Sequence, residues 1–324
     1  MPNPTPGDVH VNRPLTNVSI AFIQQAENFI ASRVFPNVTV SKQSDLYFKY
    51  DQEDFWRSEM ERRAPGAETA GSGHRLQTDS YRCDVYALHR DIDDQIRANV
   101  DDPLNLDRDA TIWLSQQALL HKESTWVTAF FNVSIWGTDK AGVAAAPTGT
   151  QFLQWNDANS TPIEDIRAQI VAVAEQTGRR PNKMTIGPNV WAALSDHPDV
   201  LDRIKYTERG VVTMDLIASL VGLDEIMVGW ASRNTNPEGQ TGAYSFYWGK
   251  HALLTYAPAT ASLMEPSAGY TFSWNGLLGS GAMGGRIRQF RLERNQSDRT
   301  EIEMAFDLKV VSTALGVFFQ NAVA

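Results

Sequence analysis

Arg180-Pro181-Asn182-Lys183-Met184-Thr185-Ile186-Gly187-Pro188-Asn189-Val190-Trp191 passes from strand to helix half-way along. Residues 184–187 are a short apolar and β-branched run bounded by turn formers, the mark of a buried strand. Pro188 then presets the first helical turn, where its missing N–H costs nothing. The helix carries Val190, Trp191 and Leu194 and stops at His197-Pro198, because the residue before a proline is pushed out of the helical region. Upstream, Thr161-Pro162-Ile163-Glu164 has the form of a capping box, and Ile163, Ile166, Ile170 and Val173 carry a helix to its stop at Gly178. Downstream, 214–221 reads as a helix closed by Gly222 and 225–228 as a strand. After a loop at 232–242, residues 243–248 and 252–256 read as two further strands. This alternation predicts a compact α/β unit of about a hundred residues.

On either side the pattern changes. Pro2, Pro4, Pro6, Gly7 and Pro14 disfavour regular structure over 1–16, which predicts an extended arm. Val18, Phe22, Ala26 and Phe29 then predict a short amphipathic helix over 18–33, ended by Pro36. Leu46, Phe48 and Tyr50 alternate with polar neighbours, as do Tyr81, Cys83, Val85 and Ala87, and the gap at 64–73 is small and polar. This predicts a long hairpin with a flexible tip. An isolated ribbon is marginal in water. The aromatic load at Tyr47, Phe48, Tyr50, Phe55, Trp56 and Tyr81 therefore needs burial, on its own domain or on another molecule.

Asp107 and Asp109 supply N-cap chemistry for a long helix. Ile112, Leu119, Trp126 and Phe130, flanked by Trp113, Leu120, Val127 and Phe131, give it an apolar stripe over about 24 residues, roughly 36 Å. Residues 127–135 are also strand-compatible, which leaves an earlier helix end open. Residues 137–149 read as a small-residue linker. Near the end, Ile302, Met304, Phe306, Leu308 and Val310 alternate with polar neighbours as a strand whose partner is 287–294, across a turn at 295–300. The long helix and this terminal sheet are expected to form one discontinuous domain around the α/β insertion.

The 324 residues suggest about two domains, and 29 Lys+Arg against 38 Asp+Glu give a net charge of −9 with 42% hydrophobic residues, a globular and acidic composition. The single cysteine, Cys83, forbids an intrachain disulfide and reads as a small buried hydrophobe in a reducing compartment. No export signal and no run of roughly 18 apolar residues appears. The Asn-x-Ser/Thr triplets at Asn17, Asn37, Asn132, Asn159 and Asn295 are read as chance.

Motifs of chemistry fail on context. Gly279, Gly281 and Gly284 match a dinucleotide fingerprint but lead into a strand rather than a helix. Asn105, Asp107 and Asp109 begin like a calcium loop, but Ala110 and Gln116 stand where glycine and glutamate are needed. His10, His74, His89, His121, His197 and His251 have no metal spacing and read as surface or capped histidines. Ser280 follows Leu278-Gly279 and makes no nucleophile elbow. No catalytic, cofactor-binding or metal residue is therefore assigned. The run Asp91, Asp93, Asp94, Asp101, Asp102 reads as a solvated face or a partner for arginines of a neighbouring chain. Arg286, Arg288, Arg291, Arg294 and Arg299 are expected to pair with acids across subunit contacts rather than with DNA phosphates, given the net −9.

In element order the chain resembles the major capsid proteins of tailed bacteriophages, which share the Hong Kong 97 type fold. The most family-like text is 180–191, followed by His197-Pro198-Asp199-Val200 and Ile204-Lys205-Tyr206. The resemblance implies an α+β capsid fold with an N-terminal arm (1–45) and an E-loop hairpin (46–90). It also implies a peripheral domain with a spine helix (91–155), an inserted α/β axial domain (156–262), and closing peripheral strands with the C-terminus (263–324). It implies a structural protein, not an enzyme and without cofactor, that self-assembles as pentamers and hexamers into an icosahedral shell around double-stranded DNA, without sequence-specific binding and without a membrane. The implied location is the virion capsid, assembled in the host bacterial cytoplasm with scaffolding, portal and decoration proteins. Because the sequence opens on the arm, a separate scaffolding protein or an already mature form is expected. Lys49 is the only lysine between Asp45 and Lys122 and lies near the hairpin base, so non-covalent shells are expected rather than Lys–Asn isopeptide welding. Two other readings stand beside this one: an α/β hydrolase or transferase with an interdomain site, and a DNA-binding protein acting through Arg288 and Arg291.

Overall fold

Two main β-sheets, of five and six strands, stand beside two two-stranded ribbons among the described residues, and each main sheet is completed by segments far apart in sequence. The computed structural model describes residues 23–50, 52–100, 105–204, 212–262, 265–278 and 285–324. The arm expected at 1–16, the first turns of the helix expected at 18–33, and Asp101, Asp102, Lys205, Tyr206, Gly279, Gly281 and Gly284 lie outside the described residues.

The expected helix up to residue 33 is instead a 3-10 turn (Ala26–Asn28) and a short helix, α1 (Ala31–Val34), followed by β1 (Asn37–Val40). Phe29 between them is extended, at φ −95° and ψ 112°. That break lets Phe29, Ile30, Ala31, Val34 and Phe35 all turn inward, more than one face of a single helix could bury.

The hairpin forms from β2 (Ser44–Tyr50) and β3 (Leu76–Arg82), in register from Ser44↔Arg82 to Tyr50↔Leu76, with α2 (Gln52–Phe55) beyond β2. Val85 and Ala87 do not belong to it. They lie in a separate strand, β4 (Asp84–Asp93), which pairs with the C-terminal sheet, and Cys83 marks the break. After α3 (Asp94–Ala98) comes the long helix α4 (Leu106–Phe130), 25 residues, so the strand alternative at its end is excluded. Its N-cap is Asn105, whose side chain accepts from the Arg108 N–H at 3.0 Å; Asp107 and Asp109 sit in the first turn instead. The buried face is Ala110, Leu114, Lys122, Glu123, Trp126 and Phe130, whereas Trp113, from the expected stripe, is exposed.

Residues expected as a linker form β5 (Thr138–Val143), with β6 (Gln151–Leu153) beyond it. Small side chains there serve a close approach, since a Cβ at Gly142 would overlap the Asn321 carbonyl. Then come α5 (Pro162–Thr177), β7 (Lys183–Ile186), α6 (Pro188–Ser195), α7 (Pro198–Ile204), α8 (Met214–Val221) and β8 (Glu225–Val228). The capping box of α5 does not form: Thr161 makes no side-chain cap, and the Ile163 N–H instead reaches Asp199 Oδ2 at 3.4 Å. Gly178 closes α5 at φ 62°, a left-handed position that favours glycine. The loop expected at 232–242 contains β9 (Ser232–Asn234), which pairs with β10 (Tyr244–Phe246). The chain ends with β11 (Ala252–Thr255), β12 (Gly269–Trp274), α9 (Asn275–Leu278), β13 (Gly285–Leu292), β14 (Ser297–Val310) and β15 (Gly316–Gln320).

The six-stranded sheet runs β6-β5-β15-β11-β7-β8. Its side chains alternate between two cores. Val317, Phe319, Leu254 and Met184 face a helical layer led by Ile163, Ile166, Ile170 and Val173 of α5. Phe318 and Leu253 face the other way, into Trp126 and Phe130 of α4 with Ile30, Val34 and Phe35. In the five-stranded sheet β14 is central, with β4 along one edge and β13 and β12 along the other; β1 adds to β12 in parallel. Helix α4 crosses this sheet, His121 meeting the rings of Tyr86 at 4.4 Å and Phe306 at 6.4 Å. No helix among the described residues is long and apolar enough to cross a membrane.

Phe319 is 1% exposed and touches the rings of Phe152 and Trp155. Phe319→Ala is expected to lower unfolding free energy by about 3–5 kcal/mol, read from a denaturant midpoint, because the cavity opens in a stiff core.

Candidate functional site

Helical spacing carries Leu119 to Glu123, Trp126 and Phe130, which places a carboxylate in the apolar seam of α4. Glu123 is 1% exposed. Its oxygens accept from the backbone N–H of Ile30 at 3.2 Å, the N–H of Ala31 at 3.0 Å and the indole Nε1 of Trp248 at 2.6 Å. The first two are donors that begin α1; the third comes from the loop before β11. Burial pushes the carboxyl up from its ordinary value, opposed by these donors and by Lys122. Lys183 on β7 holds the other end of α1, donating to the carbonyls of Arg33 at 3.0 Å and Val34 at 3.3 Å. The strap at 29–40 is thus tied to the long helix, to the six-stranded sheet and, through β1, to the five-stranded sheet. A charged residue at an apolar stripe position was the available sequence signal for Glu123.

The hairpin has two unlike faces, because ladder partners share a face and successive residues alternate. On one, Tyr81 stacks on Phe272 of β12 at 4.7 Å and Tyr47 meets the same ring at 5.5 Å. Burial, followed by a hydrogen bond to Asp79, keeps the Tyr47 phenol protonated well above its usual range. On the other face Leu46, Phe48 and Leu76 are 61%, 58% and 50% exposed. Of the aromatic load, Tyr47 and Tyr81 are therefore turned onto the chain's own sheet, while Phe48, Phe55 and Trp56 remain half in water. Lys49 is exposed on β2, opposite Gln77. Cys83, fully buried beside this base, has its thiol pushed up to about 12 by burial and nearby carboxylates.

Four of the five arginines expected to reach a neighbouring chain pair within their own. Strand register sets Arg286 opposite Glu303, Arg288 opposite Glu301 and Arg299 opposite Asp91, with contacts of 2.8, 3.2 and 2.7 Å. Arg291 bridges Asp94 at 2.5 Å and Asp298 at 3.3 Å. Asp93 caps α3 by accepting from the Gln95 N–H. Such exposed pairs contribute about 0–1 kcal/mol each, so their main effect is to hold register and neutralise the surface. Arg294 lies exposed at the turn.

Among the described residues, the serine and histidine at hydrogen-bond distance from each other form a structural lock. Ser160 Oγ lies 3.0 Å from His197 Nε2, and both residues are buried, so of the two expected settings His197 takes the capped one rather than the surface one. The Asp199 N–H donates to Nδ1 at 3.0 Å, which places the ring proton on Nε2, facing Ser160 and the Asp157 carbonyl. An Nε2 that already carries a proton cannot take one from serine. Asp107 of the rejected calcium pattern is held by Arg97 at 2.7 and 2.9 Å. Among the described residues no group of three or more His, Cys, Asp or Glu gathers to hold a metal. The groove between Gln24, Gln117, His121 and Arg233 holds no acid.

A family model described as phage major capsid protein E matches residues 148–225. The chain is 27% identical over 317 residues to the major capsid protein of Pseudomonas phage JBD67, covering 96% of each. It is 27% identical over 268 residues to that of Burkholderia phage BcepMu, covering 81% of this chain and 83% of that one. The capsid structure of Cyanophage P-SCSP1u is similar in fold, with a TM-score of 0.63 at 13% identity over 94% of this chain and 90% of that one.

Glu123→Ala removes the acceptor of three buried donors and is expected to cost about 2–4 kcal/mol, with faster proteolysis near residue 30 as the measured sign of a released strap. Lys122 is 4% exposed over the Phe306 ring, and burial lowers its ammonium to about 8 from 10.5. The folded state thus binds fewer protons than the unfolded one between those values, and stability rises with pH across that window. Lys122→Met is expected to stabilise by about 2 kcal/mol at pH 7, the gain shrinking above pH 8 in denaturation series.

Proposed function

We propose that this chain, a major capsid protein of the tailed-phage kind with the Hong Kong 97 type fold, closes into an icosahedral shell of pentamers and hexamers around double-stranded DNA. It is a shell-forming structural protein of the virion capsid rather than an enzyme. In the proposed shell residues 46–90 act as the E-loop and 1–45 as the arm. Residues 91–155 and 263–324 form the peripheral domain, which lends β5, β6 and β15 to the sheet of the axial domain at 156–262.

The observation that carries this reading is the hairpin's uncovered face. Its base is anchored through Tyr81 on Phe272, while Leu46, Phe48 and Leu76 stay half or more in water. Covering such a side chain on another copy contributes on the order of 1 kcal/mol. A closed shell multiplies that modest contact, since each copy both gives and receives a hairpin. The net charge of −9 keeps packaged phosphates from adhering. We assign scaffolding, portal and decoration to separate proteins, assembly to the host cytoplasm, and the shell's cohesion to non-covalent contacts; Lys49, expected near the hairpin base, instead pairs with Gln77 toward the outer end of the ribbon.

Phe48→Asp, and separately deletion of 67–72, are expected to leave the thermal midpoint of the isolated subunit nearly unchanged while abolishing particles in sedimentation and negative-stain micrographs. Unaltered particle yield in both variants would refute the hairpin's role.

A further inference from the structure

The distal hairpin is braced where the chain leaves and rejoins the ribbon. Asp54 accepts from the Arg75 backbone N–H at 2.7 Å and from its guanidinium at 3.1 and 3.0 Å, and the rings of Phe55 and His74 stand 5.4 Å apart. These bonds tie α2 to the returning strand, so Trp56 moves with the hairpin as one body. Residues 57–75 are exposed throughout, and Trp56 is 51% exposed, with the edge of its indole set against Gly178. A Cβ placed on Gly178 would stand 2.6 Å from Cζ2 and 2.8 Å from Cη2 of that ring. Gly178 is also the left-handed cap of α5, at φ 62°. Asparagine could adopt that backbone conformation, but its Cβ would meet the indole, so the position calls for glycine on two counts.

We propose that Trp56 on Gly178 is a release latch: it parks the hairpin against its own α5 cap in the free subunit and lets go when the hairpin docks on another copy. The inference rests on the shell reading given above. One half-exposed indole on a glycine is a small contact, and the apolar face that waits to be covered, Leu46, Phe48 and Leu76, is larger. Docking therefore outcompetes parking only when a partner is present.

The test uses Arg57→Cys with Arg179→Cys, exposed positions next in sequence to the contact, joined by a short bismaleimide with a cleavable disulfide core. The buried thiol of Cys83 leaves the background low. In free subunits the intramolecular cross-link is expected to form rapidly and to slow several-fold when Trp56→Ala or Gly178→Ala is added. In a double-mutant cycle the second substitution is expected to add little to the first. Tethered subunits are expected not to assemble until the linker is cleaved, and Gly178→Ala subunits to assemble at a several-fold lower concentration than the parent. A cross-linking rate indifferent to Trp56→Ala overturns the parked contact, whatever the chain assembles into. Tethered subunits that assemble like free ones overturn the release step. A parent chain that forms no particles overturns the shell reading and the release step together, while the cross-link still decides the parking.

Discussion

One buried carboxylate sets the terms for the rest of the molecule. An ionised glutamate inside an apolar seam costs several kcal/mol unless donors surround it. Glu123 obtains them from three places: two N–H groups at the start of α1 and the indole of Trp248. The strap at 29–40 is held where it is because the carboxylate requires it there, and the amides of Ile30 and Ala31 in turn need an acceptor in a dry core. Lys183 repeats the logic at the other end of α1, giving an ammonium to carbonyls that the short helix leaves without partners.

The consequence is a body built around one shared wall. Strand β15 stands between β5 and β11 and sends Val317 and Phe319 to one core and Phe318 to the other. The two cores are thus mechanically continuous, and the last residues of the chain are as deeply embedded as any. The hairpin stands apart from this body, seated at its base by two tyrosines on Phe272 and touching it further out through Trp56 on Gly178. A rigid body with one anchored but uncovered limb suits a subunit whose remaining apolar surface is completed by its neighbours. The charged face of β4, β14 and β13 suits that role in a different way. Arg286, Arg288, Arg291 and Arg299 are already matched by acids, so they set strand alignment rather than attract polyanions.

The local elements could be read in advance because short-range chemistry decides them. Pro188, the glycine stops at 178 and 222, the apolar spacing of α5 and the alternation along β14 all act within a few residues, and each appears where expected. The resemblance to phage capsid proteins likewise rested on element order, which a chain carries in one dimension. Linear reading failed where partners are distant. Residues 138–143 looked like a linker because small side chains say nothing of the strand beside them. Thr161 looked like a cap until Asp199, on another helix, supplied the acceptor. The arginines looked intermolecular because sequence does not state register.

The amino-acid order by itself determined α4, α5, α6 and α8, the strands β7, β8, β11, β13 and β14, the hairpin and the lack of any familiar catalytic spacing, since periodicity, backbone restriction and motif are local properties. Tertiary structure alone decided which charges neutralise each other, that Glu123 is a junction rather than a surface acid, and that β15 sits inside the sheet. Those outcomes depend on desolvation and on contacts between residues far apart along the chain, and neither is set until the chain has closed on itself.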